Sequence, residues 1–117
     1  MLDVAAVMCM SLTMYHEARG EPIPGQVAVG YVLYRRADFN PKNICSETYR
    51  AAQFEWTKKT KHVPDYKTLK PFVILSEKII RQQIKDSSKG ASYFHSTALP
   101  NQWGMKPKVI IKNHVFY

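Results

Sequence analysis

Residues able to do chemistry are concentrated in one stretch of this 117-residue chain, Tyr15-His16-Glu17-Ala18-Arg19-Gly20-Glu21, with Pro22, Pro24, Gly25 and Gln26 close behind. Val4, Met8, Leu12 and Tyr15 recur at helical spacing, so Asp3 to Ala18 is predicted as an apolar helix. Gly20, Pro22, Pro24 and Gly25 then break the pattern. Glu17 falls in the last turn, where the helix dipole and apolar neighbours both disfavour a carboxylate anion. A carboxyl group held protonated is what a general acid requires. Glu21 lies across the break, at the start of the next apolar segment, where a helix N-terminus favours the anion. A solvated helix end followed by an ordinary connector fits the same heptapeptide, so the spacing alone does not establish catalysis.

The remaining elements must position this corner. Gln26 to Ala37 is predicted as the second helix, with Val27, Tyr31 and Tyr34 on one stripe. Gly30 in its middle costs about 1 kcal/mol against Ala, which predicts close packing on the first helix. Asp38 to Asn43 reads as a turn. Ser46 to Ala52 reads as a short helix capped by Ser46. It leads to Gln53-Phe54-Glu55-Trp56, where an amide beside two aromatics suits a sugar cleft, although Phe54 and Trp56 equally suit a core. The basic run Lys58 to His62 reads as a solvated loop.

Lys70 to Ser87 is predicted as an amphipathic helix along Val73, Glu77, Ile80 and Ile84. Ala91 to Thr97 and Val109 to Tyr117 read as strands. Leu99 to Lys108, with two prolines and Trp103, reads as a loop folding over a cleft. Helices first and a small antiparallel sheet last define an α+β, lysozyme-like class.

Length and composition bound the function. A chain of 117 residues with 45% apolar content is expected to form a single domain spanning residues 1–117. Seventeen Lys and Arg against nine acids give a net charge of +8, which favours polyanionic partners such as nucleic acid, anionic membrane or the bacterial envelope. Cys9 and Cys45 do not make a disulfide framework. Cys9, in an apolar helix, reads as a small buried hydrophobe, and a disulfide stays open. No run is long enough for a membrane span. Val4 to Met14 lacks the basic start of a signal peptide, and cleavage there would destroy the corner.

Rival chemistries are poorly served. His16, His95 and His114 with Glu17 do not form the helical His-Glu-x-x-His zinc pattern, so no metal or other cofactor is expected. No serine or cysteine sits in a nucleophile elbow, and no phosphate loop is present. A DNA-binding module fits the charge, but the second helix offers only Arg35 and Arg36 for recognition. A non-catalytic wall-binding domain would need a groove without Glu17.

The stretch Tyr15 to Glu21, followed by Gly25-Gln26-Val27-Ala28-Val29, resembles the signature of the SleB/CwlJ-type cell-wall hydrolases. Pro41, Cys45 and Gln53-Phe54 resemble later landmarks of that family. So do Gly90-Ala91-Ser92-Tyr93-Phe94-His95, Trp103 and the closing Asn113-His114-Val115-Phe116-Tyr117. Arg35 stands where the family usually has Asn, Ser46-Glu47-Thr48 replaces a Gly and an apolar pair, and Ala52 takes a usual Gly position.

The resemblance implies a lytic-transglycosylase-like fold that cleaves the β-1,4 bond between N-acetylmuramic acid and N-acetylglucosamine. It implies Glu17 as the acid/base and a 1,6-anhydro product. A muramidase that hydrolyses the same bond is the alternative. Expected substrate contacts are Glu21, Gln26, Gln53, Phe54, His95, Trp103 and His114, and the expected partner is the peptidoglycan glycan strand. A monomer acting on the wall from the periplasm or outside is expected. With no signal peptide in this chain, delivery would follow holin release of a phage endolysin, or processing of a longer precursor.

Overall fold

A computed structural model describes residues 2–50, 56–59, 63–101 and 103–117. Asp3 accepts the backbone N–H of Ala6 at 3.1 Å and so caps α1, Val4–Ala18. Met10, Met14 and Ala18, at four-residue spacing, are buried on the core side. α2, Ile23–Arg36, begins three residues before the sequence suggests, because Pro24 sits in its first turn, where a missing N–H costs nothing. Gly30 is where α1, α2 and the last helix meet. A Cβ there would lie 2.5 Å from Ile79 Cδ1 and 3.0 Å from Met14 Sδ. Close packing therefore explains this glycine.

A 3-10 turn at Pro41–Asn43 runs into α3, Ile44–Tyr49. Ser46 lies inside that helix rather than capping it, its hydroxyl donating to Asn43 O. α4, Trp56–Lys59, occupies part of the basic stretch expected to be a loop. Cys9 of α1 and Cys45 of α3 form a disulfide with their Cα atoms 5.3 Å apart, which corrects the reading of Cys9 as a buried hydrophobe. Two cysteines 36 residues apart carry no sequence signal of their pairing; the α1–α3 contact creates it.

The longest correction concerns α5. It spans Tyr66–Ile80, not Lys70–Ser87, with Asp65 accepting the Thr68 N–H as its cap. It stops because Gln82 turns left-handed (φ 54°) and Gln83 N–H returns to Lys78 O, a Schellman closure built without glycine. Leu69, Phe72, Val73, Ser76, Ile79 and Ile80 face the core, and Ser11 and Ser76 join α1 to α5 through their hydroxyls at 2.9 Å.

The sheet is antiparallel, in the order β1-β3-β2. β1 is Phe94–Ser96, and what reads in sequence as one strand is a hairpin of β2, Val109–Ile111, and β3, His114–Phe116. Lys112 (φ 47°) and Asn113 make the two-residue turn. Phe94 and Val109 both pair with Phe116, and Ser96 and Ile111 both pair with His114. Phe116, Phe94, Val109 and Ile111 pack on the helical core. His95, Ile110 and Val115 alternate to the opposite face. The architecture is α+β, as the pattern predicts.

Candidate active site

The corner between α1 and α2 forms because α1 cannot continue past Ala18. Glu21 N–H turns back to Ala18 O at 2.9 Å, and Gly25 and Gln26 N–H groups bond Pro22 O at 2.9 and 3.1 Å. Glu17 is half-buried in the last turn of α1. Around it in sequence, His16 stacks on Trp56 with centroids 4.4 Å apart, and the Arg19 guanidinium lies 4.8 Å from the Tyr15 ring centre. Aromatic packing thus fixes the helix end that carries Glu17.

Glu21 fastens this corner to the sheet. Its Oε1 accepts the Asn113 backbone N–H and its Oε2 accepts Asn113 Nδ2, both at 3.0 Å. His114 Nδ1 stands 3.5 Å from Oε1, and the Glu21 side chain is only 5% exposed. Gly25 permits this approach: a Cβ there would lie 3.2 Å from Glu21 Cβ and 3.4 Å from Ile111 Cγ2. Gln26 Nε2 donates to Glu21 O at 3.0 Å, so two residues expected to meet substrate hold the turn together. Burial holds His114 below the usual histidine range; Glu21 opposes that shift and His95 adds to it.

His95 and Trp103 lie on the sheet side of the molecule. His95 Nδ1–H donates to Ser96 O at 2.7 Å, which leaves Nε2 to accept the Tyr117 hydroxyl at 2.8 Å. Trp103 packs beside them, 5.3 Å from His95 and 5.0 Å from Tyr117 between ring centres. The strand register puts His95 and His114 on opposite faces, so they do not face each other across one groove. Gln53 and Phe54 lie outside the described residues. Asn113, Tyr93 and Tyr117 are not among the site residues the sequence predicts, and Trp56, which suits either a sugar cleft or a core, stacks on His16. Asn113 and the two tyrosines stand inside family-like segments, but their roles depend on contacts across the chain.

Two of the departures from the family pattern, at Arg35 and Glu47, have structural partners, and Ala52 lies outside the described residues. Arg35 donates to Ala91 O at 2.6 Å and pairs with Asp86, fixing the segment that enters β1. Glu47 pairs with Arg36 at 3.2 Å and Arg50 at 3.5 Å. Among the described residues, no group of three or more His, Cys, Asp and Glu side chains could hold a metal ion. No helix among them is long and apolar enough to cross a membrane.

An α+β chain with a carboxylate-bearing helix corner clamped to a small sheet is the class these features define. The Cell Wall Hydrolase family matches residues 20–117, and the chain belongs to that family, the one its Glu-Ala-Arg-Gly-Glu segment resembles. Its general activity is therefore the breakdown of peptidoglycan, and its place of action the cell wall. The matched span opens at Gly20, so it includes Glu21, Asn113 and His114 and leaves Glu17 just before it. Comparison with curated proteins and with solved structures gives no match.

Proposed function

We propose that the chain is a lytic transglycosylase in which Glu17 is the single acid/base. The observation that carries this reading is the double occupation of Glu21 by Asn113. Hydrolysis by either usual route needs two opposed carboxyl groups, one of which activates water or attacks carbon. Glu21, with both oxygens bonded and its side chain buried, is poorly suited to either task. Four of the other acids are committed too: Asp3 and Asp65 cap helices, Glu47 pairs with Arg36 and Arg50, and Asp86 pairs with Arg35.

A single carboxyl group suffices when the nucleophile belongs to the substrate. Protonated Glu17 gives its proton to the glycosidic oxygen as the bond to the muramyl C1 breaks. The resulting carboxylate takes the proton of the muramyl 6-hydroxyl as that oxygen closes on C1. The products are a free sugar 4-hydroxyl and a 1,6-anhydro end, and Glu17 is again protonated. No water is consumed.

Mass spectrometry of digested peptidoglycan tests the reading. Anhydro-muropeptides are expected, and hydrated reducing ends would establish the muramidase alternative. Glu17→Gln keeps the side-chain shape but has no proton to transfer, so clearing of purified wall should fall by ~10²–10⁴-fold. A folded Glu17→Gln protein that clears wall at the parent rate would remove Glu17 from the mechanism.

A further inference from the structure

The sheet face opposite the one packed on the helical core carries an aromatic surface, bordered by Arg36 of α2, whose guanidinium lies 5.0 Å from the Tyr93 ring centre. Tyr93 and Tyr117 extend the β1–β3 pairing by a further rung, with Tyr117 N–H to Tyr93 O at 2.9 Å and Tyr93 N–H to Tyr117 O at 3.2 Å. Alternation puts both with His95, Val115 and Ile110 on the same face. Tyr93 is exposed, whereas Tyr117 is buried, with Trp103 lying against it and the rings nearly perpendicular. Trp103 also lies 5.6 Å from Tyr93 between ring centres.

This surface is pre-organised. Asn101 Oδ1 accepts the N–H groups of Trp103 and Gly104 at 3.1 and 3.2 Å, and its Nδ2 donates to Met105 O at 2.8 Å. The loop that presents the indole is thus tied at its base. Beneath it, the Ser96–His95–Tyr117 hydrogen-bond chain fixes two more rings. The buried rings support the exposed ones: Trp103 and Tyr93 are each 44% open to solvent. An aromatic ring held rigid and exposed presents a stacking face at low entropic cost.

We infer that Trp103 and Tyr93 form a glycan-holding platform on the outer face of the sheet, taking an N-acetylated amino-sugar ring of the wall polymer. The inference rests on the wall-glycan reading above and deepens it. It places strand capture on the sheet face opposite the one packed on the helical core. The apolar face of a pyranose matches the two rings in chemistry. Ile110 of edge strand β2 and Lys108 just before that strand, both exposed, continue the surface. The lysine suits the carboxylates that wall glycan bears on its lactyl and peptide substituents, a charge match that a neutral apolar partner would lack.

Binding in the Glu17→Gln background separates capture from cleavage. Two probes are used, purified insoluble peptidoglycan and a soluble N-acetylglucosamine tetramer, with affinity measured by sedimentation and calorimetry. Trp103→Ala should weaken both by about tenfold, the contribution of one stacked ring. Trp103→Phe should recover much of the loss, and the tetramer should shift the Trp103 indole N–H resonance of the unaltered platform. Affinities of Trp103→Ala within twofold of the parent would overturn the platform. So would wall binding that salt abolishes but Trp103→Ala leaves unchanged, or a dimer that Trp103→Ala dissociates without any tetramer binding. Clearing by Glu17→Gln itself would instead end the proposed role of Glu17 and leave the binding result standing.

Discussion

Replacing Glu21 with Gln tests whether this residue braces the corner or acts on substrate. The carboxylate accepts two hydrogen bonds from Asn113, each at 3.0 Å. In Glu21→Gln the amide oxygen can keep the Asn113 backbone N–H. The new NH₂ then meets Asn113 Nδ2, donor against donor, until the Asn113 amide flips to offer its oxygen. Both contacts survive as neutral bonds, each about 1 kcal/mol weaker than its charge-assisted form, giving about 2 kcal/mol in all. At ~2 cal/mol/K per residue, unfolding entropy for this chain is roughly 0.25 kcal/mol/K, so Tm should fall by about 8 °C.

Asn113→Asp places two carboxylates together and should cost at least as much. The double variant, Glu21→Gln with Asn113→Asp, restores a donor–acceptor pair of reversed polarity and should recover a large part of the combined loss. Thermal unfolding of the four proteins measures the coupling, and muropeptide analysis measures the product. Surviving activity in Glu21→Gln should still yield anhydro ends. Abolished turnover with Tm within 2 °C of the parent, and no recovery in the double variant, would show that Glu21 works on substrate and that the brace is a misreading.

The remaining predictions concern the cross-link and pH. The Cys9–Cys45 bridge spans 36 residues, so chain entropy gives it about 4 kcal/mol. Reduction should lower Tm by about 15 °C, and a Cys9→Ser/Cys45→Ser protein should ignore reductant; an unchanged Tm with both thiols titrated free would contradict this. His114, held below its ordinary value by burial, with Glu21 raising and His95 lowering it further, is a proton acceptor mainly in the unfolded chain. Its contribution is nil well above pH 6.5 and becomes destabilising as pH falls from there through the folded value. The Tm of the parent should therefore drop between pH 7 and 5, and by less in His114→Asn; identical slopes would exclude His114 as the cause.

Much of this fold was legible because its signals are local. Asp3, the apolar repeat and the Gly20–Gly25 breakers mark α1 and its end without any tertiary information. The pattern misplaces α5 where the local signal fails. Pro71 sits inside the helix, and the stop at Gln82 uses a left-handed glutamine instead of a glycine. The β2–β3 turn hid for a similar reason: Lys112-Asn113 interrupts a Val/Ile-rich run without Gly or Pro. At the corner, the residue types of Glu17 and Glu21 were readable, but the fate of the second carboxylate was not. Its partner lies 92 residues away, and no periodicity encodes such a pairing. That His95 and His114 fall on opposite faces is likewise illegible locally, because it is set by the β1–β3 register between segments far apart in sequence.

The Glu21–Asn113 clasp also sets an order of events during synthesis. Helices α1, α2 and α5 contain the residues they need for one another by position 80, and their mutual packing can begin once that stretch has emerged. The clasp cannot form until Asn113 has been translated and has cleared the ribosome. Closing a 92-residue separation adds only a slowly growing entropic cost, so the delay comes from the arrival of the partner and not from the search for it. The helix end bearing Glu17 is thus assembled early and secured late. A ribosome stalled anywhere before the β2–β3 turn holds a chain whose helical scaffold can be in place while its corner is still unlatched.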